Sequence, residues 1–302
     1  MDISTIMVHV DARDDAISRL SHAVALAAAF RATLIGLLSQ HPNHSPRLTM
    51  RATDCDSSRQ TFEAATEGAA IAVDWRVGEG TAIEAMHCEG RLADLIVVSQ
   101  PAPPASQADA DSRRFVEATI IGTGPPVLVI PVGLCAPDAT WPYSRVMVAW
   151  SGTRESARAL RGALPICQRA KYVEVVSCIA PGPGWQHHVS PPSYGVAWLA
   201  RRGVKAVLSD LERAPGIGCG QALIDLAARR NVDLLVCGVR ASRARDERHC
   251  SAAGRNGNPD CDDIANDGGL DADSKDICDK PALTGIGDTV LRKSPIPALF
   301  FS

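Results

Sequence analysis

The chain has 302 residues, a formal net charge of −3 at pH 7 and a hydrophobic fraction of 46%. That length suits two domains of ordinary size, and that apolar fraction is globular, not disordered. A charge near zero gives no strong pull toward nucleic acid or an anionic membrane, and 4% aromatics leave little for base stacking.

The opening stretch MDISTIMVHVDARDD lacks the basic region and apolar core of a signal peptide, and no run of about 18 apolar residues is present. The 10 cysteines are irregularly spaced and include no CxxC pair. Cys167, Cys178, Cys219 and Cys237 lie inside apolar runs, where a free thiol behaves as a small hydrophobe. The expected compartment is the reducing cytoplasm, with no membrane span.

In chain order, Thr5–Val10 reads as a buried strand, Ala16–Phe30 as a helix and Thr33–Ser39 as a second strand. Gln40–Ser58 is polar and reads as loop, Gln60–Glu67 as helix and Ala72–Val77 as strand. Gly78 and Gly80 punctuate, Ala82–Leu92 is helical and Asp94–Ser99 is an apolar strand. Pro101–Ser112 reads as loop, Phe115–Ile121 as a short helix and Pro126–Pro131 as the last strand of a first domain, residues 1–133. Residues 134–142 form the linker to a second domain, residues 143–302.

There the chain starts over. In Ser144–Cys167, SRVMVAWSGTRESARALRGALPIC, a buried strand is followed by a capped turn and a helix. A shift of 140 lays Ile6-Met7-Val8 on Val146-Met147-Val148, Asp11 on Ser151 and Ala32–Ile35 on Tyr172–Val175. Val173–Ile179 is a strand, Ala180–Pro192 a loop, Tyr194–Arg202 a helix, Val204–Ser209 a strand and Gln221–Arg230 a helix. A shift of 139 lays Asp94–Ser99 on Asp233–Gly238, and a shift of 171 lays Pro126–Ile130 on Pro297–Phe301. The change from 139 to 171 places an insertion of about 32 residues between Arg240 and Gly287.

Strands alternating with helices predict an α/β fold: two doubly wound, five-stranded parallel sheets in tandem. Ligands of such sheets sit outside the carboxyl ends of the strands, where strand order reverses. If the first and fourth strands are neighbours, the flanking corners are Asp11 with Ser99–Ala102, and Ser151–Thr153 with Gly238–Arg243.

These segments also resemble a known family. VMVAWSGTRESARALRGALP is similar to the first strand and helix of universal stress proteins, ALIDLAARRNVDLLVCG to their third helix and fourth strand, and TVLRKSPIPALFF to their last helix and strand. In the first half ADLIVVS and IIGTGPPVLVIPVG play the same parts. The resemblance, to the tandem two-domain form, implies the adenine-nucleotide alpha-hydrolase-like fold, dimer-like pairing of the halves and a role in stress survival. Many members bind ATP through an acid after the first strand and a loop G-x2-G-x9-G-[ST] after the fourth. Glycines there let backbone N–H groups reach phosphates, and the helix start carries partial positive charge.

Carried over residue by residue, the candidate adenine-nucleotide contacts are Asp11, Ser151, Gly152, Gly238, Ser242, Gly285, Gly287 and Thr289. The pattern is degenerate. The first half keeps the acid but reads Ser99-Gln100-Pro101-Ala102 where glycines belong, with Arg113-Arg114-Phe115 in place of the later Gly-Ser. The second half keeps Gly238, has Ala241 at the second position and Ser151 in place of the acid, and is interrupted by the insertion. Asp11 and Ser151 can equally be helix caps. Arg240, Arg243 and Arg245 form a basic cluster that either pairs a phosphate or is solvated. Ser151–Ser156 faintly resembles the SGGxDS pyrophosphate loop of N-type ATP pyrophosphatases.

The insertion, Asp246–Pro281, is acidic: Arg255–Lys280 holds 8 Asp against 3 basic residues. Such a composition buries no core. Asn256, Asn258, Asp260 and Asp262 alternate as in a Ca²⁺ loop, but Cys261 stands where glycine is needed. His249, Cys250, Cys261 and Cys278 fit no usual zinc spacing. His187-His188, His41 and His44 read as loop histidines, and no residue pair specifies a nucleophile and its base. No catalytic or metal-binding residue is therefore assigned.

The expectation is a stress-response binding and regulatory protein that works through a small-molecule or nucleotide ligand or a protein partner, with homodimerisation as one assembly. Two alternatives stand beside it: a slow ATPase using the second domain, and an adenylating pyrophosphatase-like enzyme.

Overall fold

A computed structural model describes residues 2–11, 16–41, 52–101, 107–135, 141–178, 190–243, 281–283 and 285–302. In its first half the elements run β1 (Thr5–His9), α1 (Ala16–Phe30), β2 (Thr33–His41), α2 (Ala52–Thr66), β3 (Val73–Thr81), α3 (Ala82–Glu89), β4 (Leu95–Ser99), α4 (Gln107–Gly122) and β5 (Val127–Ile130). The second half runs β6 (Arg145–Trp150), α5 (Arg154–Gly162), α6 (Leu164–Cys167), β7 (Tyr172–Ser177), α7 (Pro192–Ala200), β8 (Ala206–Asp210), α8 (Cys219–Arg229) and β9 (Leu234–Gly238). It ends with a short ribbon, β10 (Ala241–Arg243) against β11 (Pro281–Leu283), then α9 (Ile286–Lys293) and β12 (Ala298–Phe301).

The apolar runs at β4, β5, β9 and β12 are buried nearly throughout, as strands covered on both faces require. They sit in one 10-stranded sheet of order β3-β2-β1-β4-β5-β12-β9-β6-β7-β8. Each half thus repeats the order 3-2-1-4-5. All pairings inside a half are parallel, and β5 meets β12 antiparallel, with Leu128 opposite Leu299. Leu128 and Leu299 are the same position at the 171-residue shift, so a local two-fold passes between them.

The crossovers place helices on both faces of the sheet. Side chains of α1, α2, α5, α6 and α7 join the core on one face, and those of α3, α4, α8 and α9 the core on the other. Beside the β5–β12 pairing, the side chains of Gln100, Arg113 and Arg169 make polar contacts across the seam. Gln100 Nε2 donates to the carbonyls of Leu291 (2.9 Å) and Ser294 (3.1 Å) at the end of α9. Arg113 on α4 pairs with Asp288 on α9 at 2.8 Å. Arg169 Nη1 donates to the Ala29 carbonyl at 2.6 Å, its guanidinium lying over the Phe30 and Trp141 rings.

Several sequence expectations change. The register pairs Ile6 with Leu34 and Val146 with Val173, so Leu34 corresponds to Val173 and not to Glu174. The 140-residue shift fails by one after the first helix, and a one-residue slip exchanges the two faces of the strand. Ala52–Ser58, read as loop, is the start of α2; its inward positions Ser58 and Phe62 carry only one large apolar group, which hides the helical period. Gln107–Ser112, also read as loop, opens α4, whose surface is polar and supported by an i,i+4 Arg113–Glu117 pair.

β3 runs through Gly78 and Gly80 to Thr81. At Gly78 an added Cβ would stand 2.5 Å from Ala85 Cβ, so this glycine admits α3 and does not end the strand. The β10–β11 ribbon joins the two ends of the acidic insertion. Residues 244–280 lie outside the described residues, and with them Arg245, the Ca²⁺-like alternation and His249, Cys250, Cys261 and Cys278. His44, His187 and His188 also lie outside.

Candidate functional site

Strands β1 and β4 are neighbours, and so are β6 and β9, so each half has a crevice at the carboxyl ends of those strands. In the first half the crevice is occupied by a side chain of α1. The buried positions of α1 are Ala16, Arg19, Leu20, His22, Ala23, Leu26 and Ala27, and Arg19 is the one that is permanently charged.

Arg19 is 1% exposed. Its Nη2 donates to Asp11 Oδ1 at 2.7 Å and its Nη1 to Ser99 Oγ at 2.5 Å. One guanidinium thus bridges the ends of β1 and β4. His9 Nδ1 stands 3.9 Å from the other carboxylate oxygen of Asp11, and its ring packs on Phe115 at 4.6 Å between centroids. The acid that would accept a ribose hydroxyl already accepts a fixed, permanently charged donor. Next to it, Gln100 and Arg113, in the segments that replace the family's glycine-containing loop, are both turned across the seam to α9.

Sequence reasoning placed Asp11 and Ser99 at this corner and missed Arg19. Its signal was an arginine among mostly apolar inward positions, a residue type almost never buried without a partner.

The second half fills the same place differently. Ala159, at the position of Arg19, is 0% exposed. Ser151 Oγ lies 3.0 Å from Thr153 Oγ1. Thr153 caps α5 by accepting from the Ser156 N–H, and Ser156 Oγ donates back to the Thr153 carbonyl at 2.9 Å. These hydroxyls serve the helix start. Gly152 has φ 73°, and its carbonyl accepts from the Ser190 N–H at 3.0 Å.

Gly238, the position of Ser99, abuts the first turn of α5. A Cβ there would collide with the Glu155 carbonyl and come within 2.6 Å of the Ser156 nitrogen. Backbone does approach this glycine closely, but it is the protein's own. Glu155 is 7% exposed and accepts from Arg240 at 3.3 Å. Burial pushes its carboxyl up; the Glu155 amide, Arg240 and Thr153 outweigh that and hold it below the usual range.

Gly285, Gly287 and Thr289 gather at the start of α9. Gly285 has φ 64°, a conformation suited to glycine. Gly287 admits Val239, whose Cγ1 lies 2.5 Å from the place of an added Cβ. Thr289 packs on Gly220 and donates to the Gly285 carbonyl at 3.2 Å. Between them Asp288 binds Arg113 and Arg292, which puts a carboxylate at the helix start where a phosphate would sit. Ser242 lies in β10, opposite Ala282.

Among the described residues no group of three or more His, Cys, Asp and Glu is placed to hold a metal ion. The described cysteines are free thiols, and burial pushes Cys167 and Cys178 up to about 12. Among the same residues no helix is long and apolar enough to cross a membrane.

No family model matches the chain, and no curated protein sequence does. Solved structures do. A universal stress protein from Archaeoglobus fulgidus DSM 4304 matches with a TM-score of 0.61 at 9% identity, covering 100% of this chain and 99% of its own. A universal stress protein in complex with cAMP matches 44% of this chain and 100% of its own, at 20% identity and a TM-score of 0.32. A functionally unknown protein from Pseudomonas aeruginosa PAO1 matches 77% of this chain and 80% of its own, at 16% identity and a TM-score of 0.46. The Archaeoglobus match extends over both chains, so this chain has the fold of a universal stress protein in both halves. The resemblance read in its sequence holds at the level of fold.

Proposed function

We propose that this chain is a universal-stress-type binding and regulatory protein whose first adenine-nucleotide crevice is closed by its own arginine. The observation that carries the reading is Arg19, held between Asp11 and Ser99 at 2.7 and 2.5 Å. A nucleotide that places its ribose hydroxyls on Asp11 must separate that carboxylate from a buried guanidinium, an exchange that costs several kcal/mol. The sites of the second half, Ser151, Gly152 and Gly238, are engaged in capping and packing α5. The protein therefore acts through contacts other than ATP chemistry, and no residue is given a catalytic role.

A second reading keeps an adenine nucleotide in the second half, and Ala159 favours it: the position that carries the Arg19 guanidinium in the first half carries only a methyl group here. The test is mass spectrometry of small molecules released on denaturation, with ATP, ADP and cyclic AMP titrations of the native chain. The proposal expects no stoichiometric adenine nucleotide and no ATP site that depends on Asp11. Bound nucleotide lost on Gly238→Val would favour the second reading.

A further inference from the structure

The second half holds a cleft that the nucleotide crevices do not use. It lies between α5 and α7 on one face of the sheet and encloses about 480 Å³, within the range of pockets for small organic ligands. In the first half the corresponding helices, α1 and α2, pack on each other more extensively than α5 and α7 do. The floor is Trp150, the last residue of β6, fixed by an indole N–H donated to the Ser190 carbonyl at 2.9 Å. Gly195 on α7 sits over it: an added Cβ would meet Trp150 and Leu160 at 3.3 Å. Tyr194 and Trp198 complete an aromatic wall.

α5 and α7 follow adjacent parallel strands, so they run side by side in one direction. Arg161, in the last turn of α5, and Arg201, at the end of α7, therefore lie at the same end of the trough, and both line it. No acidic residue lines it. Among the described residues neither guanidinium has a carboxylate within ion-pair distance, whereas Arg19, Arg76, Arg113 and Arg292 all do. An apolar trough with Tyr194 and Trp198 on one wall and two cations without a carboxylate partner at its end is complementary to a small aromatic molecule with an anionic end.

We propose that this cleft binds a small aromatic anion: a one- or two-ring system seated between α5 and α7 against Tyr194 and Trp198, its carboxylate or sulfonate held by Arg161 and Arg201. This is independent of the nucleotide reading, since neither Asp11 nor Gly238 takes part.

The experiment is calorimetric titration of the intact chain with naphthalene sulfonate and with its neutral analogue naphthyl methanol. The sulfonate should bind at one site, and the neutral ring about tenfold more weakly. Arg161→Ala/Arg201→Ala should weaken the sulfonate by at least about tenfold and leave the neutral ring unchanged. Ala197→Trp, at the exposed lip, should abolish both; Ala157→Trp on the facing helix does the same job if the first variant melts early. Absence of saturable binding, equal binding of the two probes, or binding that survives both tryptophan variants would overturn the proposal.

Discussion

The two crevices have the same strands around them and opposite solutions within them. In the first half a charged side chain on α1 spans the gap between β1 and β4. In the second, alanine takes that place and the gap closes because β9 ends in a glycine that lets the backbone of α5 come down on it. One closure is an ion pair with hydrogen bonds, the other is contact between main chains. The lesson is that a glycine or an acid at a family position marks a requirement for close approach or for a charged partner. It does not say whether a ligand or the protein itself meets that requirement.

The comparison is broken most severely at Arg19. Arg19→Leu leaves Asp11 facing an apolar side chain and Ser99 without its donor, and should cost about 3 kcal/mol, the low end for a broken buried pair. The low end applies because the Asp11 side chain retains 24% exposure. Denaturant melts read the loss. Asp11→Ser with Arg19→Ala and Ser99→Gly, which copies the second half, should recover part of it.

Gly238→Ala comes next. Its Cβ meets main-chain atoms that cannot rotate away, so about 2 kcal/mol of overpacking strain is expected. The reciprocal Ser99→Ala loses only one hydrogen bond and should cost about 1 kcal/mol. Equal effects from Gly238→Ala and Ser99→Ala would erase the distinction between the two closures.

The seam is sharpened by Gln100→Ala, which removes two hydrogen bonds to the end of α9. About 1 kcal/mol is expected, read as a lower midpoint with an unchanged denaturant slope.

The smallest effect separates a second pair of equivalent residues. Asp94 accepts from the Ser4 N–H, Ser4 hydroxyl and Thr5 N–H, and Asp233 from the Ser144 and Arg145 N–H groups. Burial pushes the Asp94 carboxyl up, but the bonds from Ser4 and Thr5 outweigh it and hold it below the usual range. Burial dominates at Asp233 and holds it above. Asp94 therefore contributes stability above its unfolded pKa, lost as pH falls through the lower folded value. Asp233 in its ionised form opposes folding, so stability relative to Asp233→Asn falls as pH rises from about 3.9 through its raised folded value. Melts of Asp94→Asn and Asp233→Asn across acidic pH should diverge from the parent in opposite directions.

Much of this was legible in the sequence. The duplicated apolar runs and their shifts reported the strands and their succession along the chain, because central parallel strands leave unbroken hydrophobic stretches. The corners Asp11–Ser99 and Ser151–Gly238 followed from that order. The early turns of α2 and α4 were hidden because their exposed faces are polar and small, which reads the same in a loop. Arg19 escaped because a single charge on a mostly apolar stripe looks like a solvated face until its partners, 8 and 80 residues away, are brought to it. Gly238 was seen but assigned to a phosphate, since nothing in one sequence tells which backbone will approach.

The central claim is that Asp11 is committed to Arg19 and unavailable to a ligand. Calorimetric titration of ATP into the intact chain and into Asp11→Asn, side by side at low salt, tests it most directly. The account predicts that whatever heat of binding the parent gives, Asp11→Asn gives the same. Binding in the parent that weakens by about tenfold or more in Asp11→Asn would contradict it, because the carboxylate would then be serving the nucleotide and not the guanidinium.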